Sequence, residues 1–469
     1  MLLEAYARLV TRWRSAFAQQ RTMVRVVTLL LGLLCTYGRR TVSNAILVKG
    51  GGRRGWAADY LAFSRARWDV ASLFDAVFSG AIEQHDRVAP TDPVVVLLDD
   101  TSLKKSSRRI EQAQWLRDPL SPPFRINLKY GLRCLHLALR LPLHKVGFAA
   151  RAISVAFELA PSAKKPGRKA TPEQHVEYVR LQKEMSLPSR AVRALGMQRQ
   201  RLDALGMSAR TLLAVVDGGY TNRAVLGNLP ERTHLIGRVR KDLALFRPAE
   251  PGKHRKVYGD RLATPEALRR DDAVPYRTVV LHYGGTWRSV RYKEVREVLW
   301  RGGARRRRLR LFVLAPTPYR APGKGKRKLA YGEPAYLLCT DLDSPTDFLL
   351  QSYLDRWQIE PLHRDLKTGL GVGQAQAWSK GAVVRIHSAF VAAYSMLVLA
   401  ALSAFGPGRT DAFPPLPAWR RLKPNHRASH HDLVTLLRED LSAATANYQE
   451  RLSQQPPLRV WGSTSSLPR

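Results

Sequence analysis

Two short, wholly apolar runs that each end in aspartate constrain this chain more than any other feature. Val94-Val-Val-Leu-Leu leads into Asp99 and Asp100, and Leu212-Leu-Ala-Val-Val leads into Asp217. A strand without polar alternation is covered on both faces, as in a sheet flanked by helices. A carboxylate at the end of such a strand loses water and must be paired or metal-bound to stay charged. One such end is ordinary turn chemistry, and Asp217-Gly218 suits a turn. Two of them, followed by a third acid on a helix, make a sharper pattern. Residues 132–141 and 153–159 read as further strands, close enough to pair as a hairpin, and 173–205 reads as helical. The order strand, strand, strand, helix, strand is that of an α/β protein.

The flanking stretches read differently. Residues 1–90 read as helical, and 40–68, with Gly50-Gly-Gly-Arg-Arg-Gly at its middle, fits either an ordinary helical hairpin or a DNA-reading helix-turn-helix. Residues 232–340 hold 27 Lys or Arg against 9 Asp or Glu. Strands are expected there at 276–283, 287–292, 308–314 and 335–340, punctuated by Arg305, Arg306, Arg307 and Arg308 and by Lys324-Gly-Lys-Arg-Lys. Ser344-Pro-Thr-Asp347 reads as a helix start with Ser344 as the cap, and the helix should reach Lys367, kink at Pro361 and stop at Gly369. A second apolar helix is expected near 384–404, an amphipathic piece at 432–447, and a disordered tail from 454. The 386–405 stretch is nearly long enough to span a bilayer, but it contains His387, Ser388 and Ser395, as a core helix does.

Charge narrows the partner. The chain carries 77 Lys or Arg against 38 Asp or Glu, a net charge of +39. Such self-repulsion calls for a polyanion: nucleic acid first, an anionic membrane surface second. Three cysteines, far apart and odd in number, exclude a disulfide scaffold and a cysteine-based zinc finger.

The third acid is Glu360. At about 100° per residue, Tyr353, Arg356, Glu360 and Lys367 fall within ~60° of one helix face. That face is either a solvated surface with a local Arg356–Glu360 pair or a working surface with a phenol, a guanidinium, a carboxylate and an ammonium. Two decoys fail. His363-Arg-Asp lacks the Asn a kinase loop needs, and Gly323-Lys-Gly-Lys lacks the spacing of a phosphate-binding loop. His426, His430 and His431 read as surface histidines near a helix start.

The spacing Tyr353-x2-Arg356-x3-Glu360-x6-Lys367 resembles the Y-R-E-K signature of bacterial insertion-sequence DDE transposases. Asp99-Asp100-Thr101 is similar to their D-x-T motif and Asp217-Gly-Gly-Tyr220 to their D-x-x-Y. The likeness covers about residues 92–400. It implies an RNase H-like mixed sheet flanked by helices, with a β-rich insertion. The division expected is a helical 1–90 as a candidate DNA-binding domain, a core first part at 91–231, the basic insertion at 232–342, a core second part at 343–408 and an extension at 409–469. It also implies catalytic and metal-ligating roles for Asp99, Asp217 and Glu360. Two Mg²⁺ ions, for which Mn²⁺ can substitute, would be the cofactors. By the same resemblance Tyr353, Arg356 and Lys367 would contact DNA near the cut, while the density of basic residues in 232–340 makes the run of Arg305, Arg306, Arg307 and Arg308 a second expected DNA contact. Asp99 and Asp100 are adjacent, so only one faces the metals from a strand; Asp99 fits D-x-T. The expected partners are double-stranded DNA, as transposon ends and target, and a second copy in a synaptic homodimer, with no membrane and a cytoplasmic, nucleoid-associated location. A nuclease on the same fold without strand transfer and a non-catalytic basic DNA-binding protein are the alternatives.

Overall fold

The computed structural model describes residues 1–49, 55–118, 121–122, 124–250, 256–320, 329–418 and 427–454. The glycine-rich stretch at 50–54, the basic run at 324–328, His426 and the residues beyond 454 lie outside the described residues.

The two apolar runs lie side by side. Strand β1 (Val94–Lys104) is buried over its first five residues, and β5 (Leu212–Val216) is buried throughout. They pair in parallel, Val94 with Leu212 through Leu97 with Val215. On the other side of β1 lies β3 (Leu128–Leu141), antiparallel, and beyond it β4 (Arg151–Leu159), also antiparallel. The short β2 (Gln114–Arg117) pairs with the outer end of β3. Strand β6 (Thr233–Arg238) extends the parallel side past β5. The core path is therefore β4-β3-β1-β5-β6.

The sheet does not stop there. Strand β14 (Ala335–Cys339) pairs antiparallel with β6, β11 (Arg308–Leu314) with β14, and β10 (Thr286–Leu299) with β11. Strand β9 (Arg277–Tyr283) folds back on β10, and β7 (Phe246–Pro248) and β8 (Tyr258–Arg261) close the far edge. Together these form one 12-stranded mixed sheet, and β12 (Pro318–Arg320) pairs separately with β13 (Leu329–Tyr331).

Helices cover the core. Five lie before the sheet: α1 (Leu2–Val10), α2 (Gln20–Cys35), α3 (Val42–Val48), α4 (Trp56–Ser64) and α5 (Leu73–Asp86). Helices α6 (Pro172–Glu184) and α7 (Leu187–Ala204) make the crossover from β4 to β5. Short α8 (Arg223–Leu226) and α9 (Pro265–Arg270) follow, then α10 (Thr346–Asp355), α11 (Ile359–Arg364), α12 (Lys380–Phe405) and α13 (His430–Gln454). One continuous apolar core joins Leu2 in α1, β1 and β5 to Leu437 in α13. Helix α12 is the one described helix long and apolar enough to cross a membrane, but 83% of its apolar window is buried inside the protein. Two of its serines face the sheet: the Ser388 and Ser395 hydroxyls donate to the Phe157 and Ser154 carbonyls of β4, at 2.6 and 3.1 Å.

The helix expected at 344–367 departs from its expected form in two ways. Ser344 does not cap it, because its hydroxyl donates to Asp341 Oδ2 at 2.6 Å and the helix opens at Thr346 after Pro345. The break also falls before Pro361 rather than at it. Residues Arg356–Gln358 form a 3₁₀ turn, and Pro361 sits in the first turn of α11. Proline has no N–H to offer the carbonyl of Trp357 and crowds it, so the helix is re-wound upstream. A π-turn at Asp365–Gly369 ends the element.

Candidate active site

The strand register positions the first two acids. Continuing the β1–β5 pairing two residues past Leu97 and Val215 puts Asp99 opposite Asp217. Neighbouring strands lie ~4.8 Å apart, so these carboxylates share one end and one face of the parallel pair. The loop after β5 is held by Thr221, whose hydroxyl donates to the Asp217 carbonyl at 3.0 Å. It packs so closely on β6 that a Cβ at Gly237 would run into Thr221 Oγ1 and Val216.

Asp99 and Asp100 point to opposite faces and keep different company. Asp100 Oδ1 accepts the Tyr220 hydroxyl at 3.1 Å. Burial raises the Asp100 carboxyl above its usual range, while Arg133 and the Tyr220 hydrogen bond pull it down. Asp99 Oδ1 accepts the Asp100 N–H at 2.8 Å. Burial pushes the Asp99 carboxyl up to about 7; Arg356 works against this, and the nearby Asp217 adds to it. Burial and a neighbouring carboxylate together make the charged form of Asp99 costly, more than Arg356 offsets.

The Y-R-E-K residues partly converge on these acids. Arg356 acts on the charge of Asp99 and also reaches Glu360 Oε1 at 3.8 Å. Glu360 is half-buried, and burial raises its carboxyl with Arg356 opposing. The Lys367 ammonium donates to Thr101 Oγ1 at 3.0 Å, two residues from Asp99. Burial and Lys129 push its pKa down, and Asp99 holds it up. Tyr353 is half-buried, its phenol raised by burial and acted on by Arg356 and Asp217. The guanidinium of Arg356 thus links Glu360 to the Asp99–Asp217 pair. Among the described residues no three His, Cys, Asp or Glu side chains stand close enough to form a ready-made metal cluster.

The run of four arginines lies elsewhere. Arg305, Arg306 and Arg307 are exposed in the turn between β10 and β11. Arg308 opens β11 and donates to Glu297 at 2.7 Å. Among the described residues no hydrogen bond or ion pair joins these four to the acids. His430 is paired with Asp365 at 3.1 Å.

Several residues around the site carried no sequence signal. Asp355, next to Arg356, is buried and accepts from Arg140 Nη1 at 3.1 Å. Gln351, one turn earlier, donates to Asp355 Oδ1 at 3.0 Å. Its amide also accepts the His282 N–H of β9 at 2.8 Å and donates to the His282 carbonyl at 3.0 Å. These bonds tie α10 to the core sheet on one side and to the β9–β10 hairpin on the other. Buried His136, opposite Asp99 on β3, stacks on His363 of α11 at 5.0 Å between ring centroids. Tyr220, by contrast, was legible as the last residue of D-x-x-Y.

No protein-family model matches this chain, and no curated protein matches it.

Proposed function

We propose that the protein is a DDE-type DNA transposase on an RNase H-like core, cutting transposon ends and joining them to target DNA. The observation that carries this is the convergence of separate parts of the chain. The β1–β5 register sets Asp99 beside Asp217, while the helical stretch bearing Glu360 offers Arg356 to Asp99 and Lys367 to Thr101. The strand path β4-β3-β1-β5-β6, antiparallel then parallel, supports the fold: the first acid is on the first core strand and the second follows the fourth.

The residues fit divalent metal ions. Asp99, Asp217 and Glu360 are hard-oxygen donors, and Asp99 is raised to about 7 by burial, with Asp217 adding to it and Arg356 opposing. These three would hold Mg²⁺ or Mn²⁺, and bound metal supplies charge stabilisation at the attacking and leaving oxygens. The protein's own groups position the DNA. Arg356 can grip a phosphate bidentately, Lys367 acts as a point charge beside Asp99, and Tyr353 offers a hydroxyl. Water attacks the phosphorus at the transposon end and breaks its bond to the 3′-oxygen; the freed 3′-hydroxyl then attacks a target phosphorus and displaces the target strand's own 3′-oxygen. Two such ends call for a homodimer in the synaptic complex, working on nucleoid DNA in the cytoplasm.

The test is cleavage of a plasmid carrying the gene with its flanking DNA. Glu360→Gln keeps size and removes charge; it should abolish cutting while binding to end-bearing DNA in Ca²⁺ persists. A folded Glu360→Gln protein cutting at the parent rate would refute the catalytic role.

A further inference from the structure

The outer end of β3 does something the catalytic reading leaves unused. Past Gly131, opposite Lys104 at the end of β1, it keeps one last bond on that side, from the Lys105 N–H to the Tyr130 carbonyl at 3.0 Å, and runs on paired with β2 as a two-stranded arm. The pairs Trp115–Tyr130 and Arg117–Leu128 put these four side chains on one face of the arm. That face is open: Trp115 is 59% exposed and Leu128 is 60% exposed. The Trp115 and Tyr130 rings hold each other edge-to-face at 5.4 Å. Arg117, in the same row, is exposed and has no ion-pair partner among the described residues.

Register also places the row relative to the acids. Asp99 pairs with His136 on β3, and Tyr130 is an even number of residues from His136, hence on the same sheet face. Six residues at ~3.3 Å make ~20 Å, the length of about six base pairs at ~3.4 Å each. We propose that this arm is a DNA-docking surface, with the Trp115, Arg117, Leu128 and Tyr130 row seating the duplex about six base pairs from the phosphodiester held at Asp99.

Charge selects DNA over protein as the occupant. Residues 104–133 hold eight Lys or Arg against two acids. An unpaired guanidinium at the end of an apolar row is costly in a protein interface and useful against phosphate. Arg117 takes a phosphate, and the Trp115–Tyr130 pair packs on sugar and base edges. The inference rests on the DNA-cutting reading for its distance from the cut, but not for the binding itself.

The test uses the full-length protein and a labelled 30-base-pair duplex of end-bearing DNA, with anisotropy read against salt. Arg117→Gln should weaken binding to all sequences and reduce the salt slope by about 0.9. Trp115→Ala should weaken binding about ten-fold, with Trp115→Phe restoring most of it. Arg117 is solvent-exposed, so its variant keeps the assay decisive should Trp115→Ala misfold. Parent-like affinity and slope in both folded variants would overturn the proposal. So would unchanged DNA binding with lost self-association in sedimentation, which would make the arm a protein-docking surface. If the parent binds DNA but never cuts it, and the arm variants still lose binding, the arm stands and the catalytic reading falls.

Discussion

Asp99 sits where folding and chemistry pull in opposite directions. Its carboxyl is raised to about 7, first by burial and then by Asp217. The ordinary value is ~3.9. Between these the folded chain holds a proton that the unfolded chain has released, so stability falls as pH rises from about 4 to 7. Above 7 the full cost of the buried charge is present. Asp99→Asn, measured in a chelator, should therefore melt higher than the parent at pH 8, by ~2–4 °C for each kcal/mol regained, and equally near pH 4. Metal should be linked with the opposite sense: a cation must displace that proton below about 7. Mn²⁺ affinity by titration calorimetry should then weaken on acidification in the parent. A parent and variant whose melting difference is the same at pH 4 and pH 8 would show that Asp99 is solvated like an ordinary surface carboxylate.

The helical stretch that bears Glu360 is held by bonds on both of its sides. Arg140 and Asp355 form a buried pair at 3.1 Å, and Gln351 joins Asp355 to the His282 backbone of β9. Removing one partner of a buried pair leaves an uncompensated charge and costs ~3–5 kcal/mol, whereas replacing both with apolar groups costs far less. Asp355→Ala should destabilise by that amount in urea unfolding, and Arg140→Met with Asp355→Leu should recover most of it. Equal losses in single and double variants would mean the pair contributes little. Gln351→Met, which keeps the shape, should lower the cutting rate with little change in DNA affinity, because it frees α10 from the hairpin without touching phosphate. None of this was legible beforehand, since Arg140 and Asp355 are 215 residues apart and follow no local pattern. What could be read were features with a period or a spacing: the apolar runs of β1 and β5, the β3–β4 hairpin, and the acids with their Y-R-E-K companions. Strands β2, β6, β7 and β8 escaped notice, being short or mixed in charge, with too few apolar positions to show an alternation. The kink was expected at Pro361 and arose one turn earlier, because proline acts on the carbonyl four residues behind it.

At the scale of the molecule, one core carries a charge of +39 on its surface. Helix α12 runs through that core, so the N-terminal helices and the sheet share their apolar contacts. The charge cannot be screened internally: 38 acids face 77 bases, and several acids are already committed to buried pairs. A polyanion is the physical complement, and its binding should be governed by counterion release. The β10–β11 turn isolates that effect, because Arg305, Arg306 and Arg307 are exposed while Arg308 is held by Glu297 at 2.7 Å. Each phosphate contact adds about −0.9 to the slope of log K against log salt. Changing Arg305, Arg306 and Arg307 together to Gln should weaken binding to every sequence alike and flatten the slope by up to ~2.7. Arg308→Gln should flatten it less, since part of that charge is already spent on Glu297. Cutting at saturating DNA should stay at the parent rate in both, because among the described residues no bond joins this turn to Asp99, Asp217 or Glu360. A slope unchanged by the triple substitution would make the turn a solvated face and move the duplex to another basic surface.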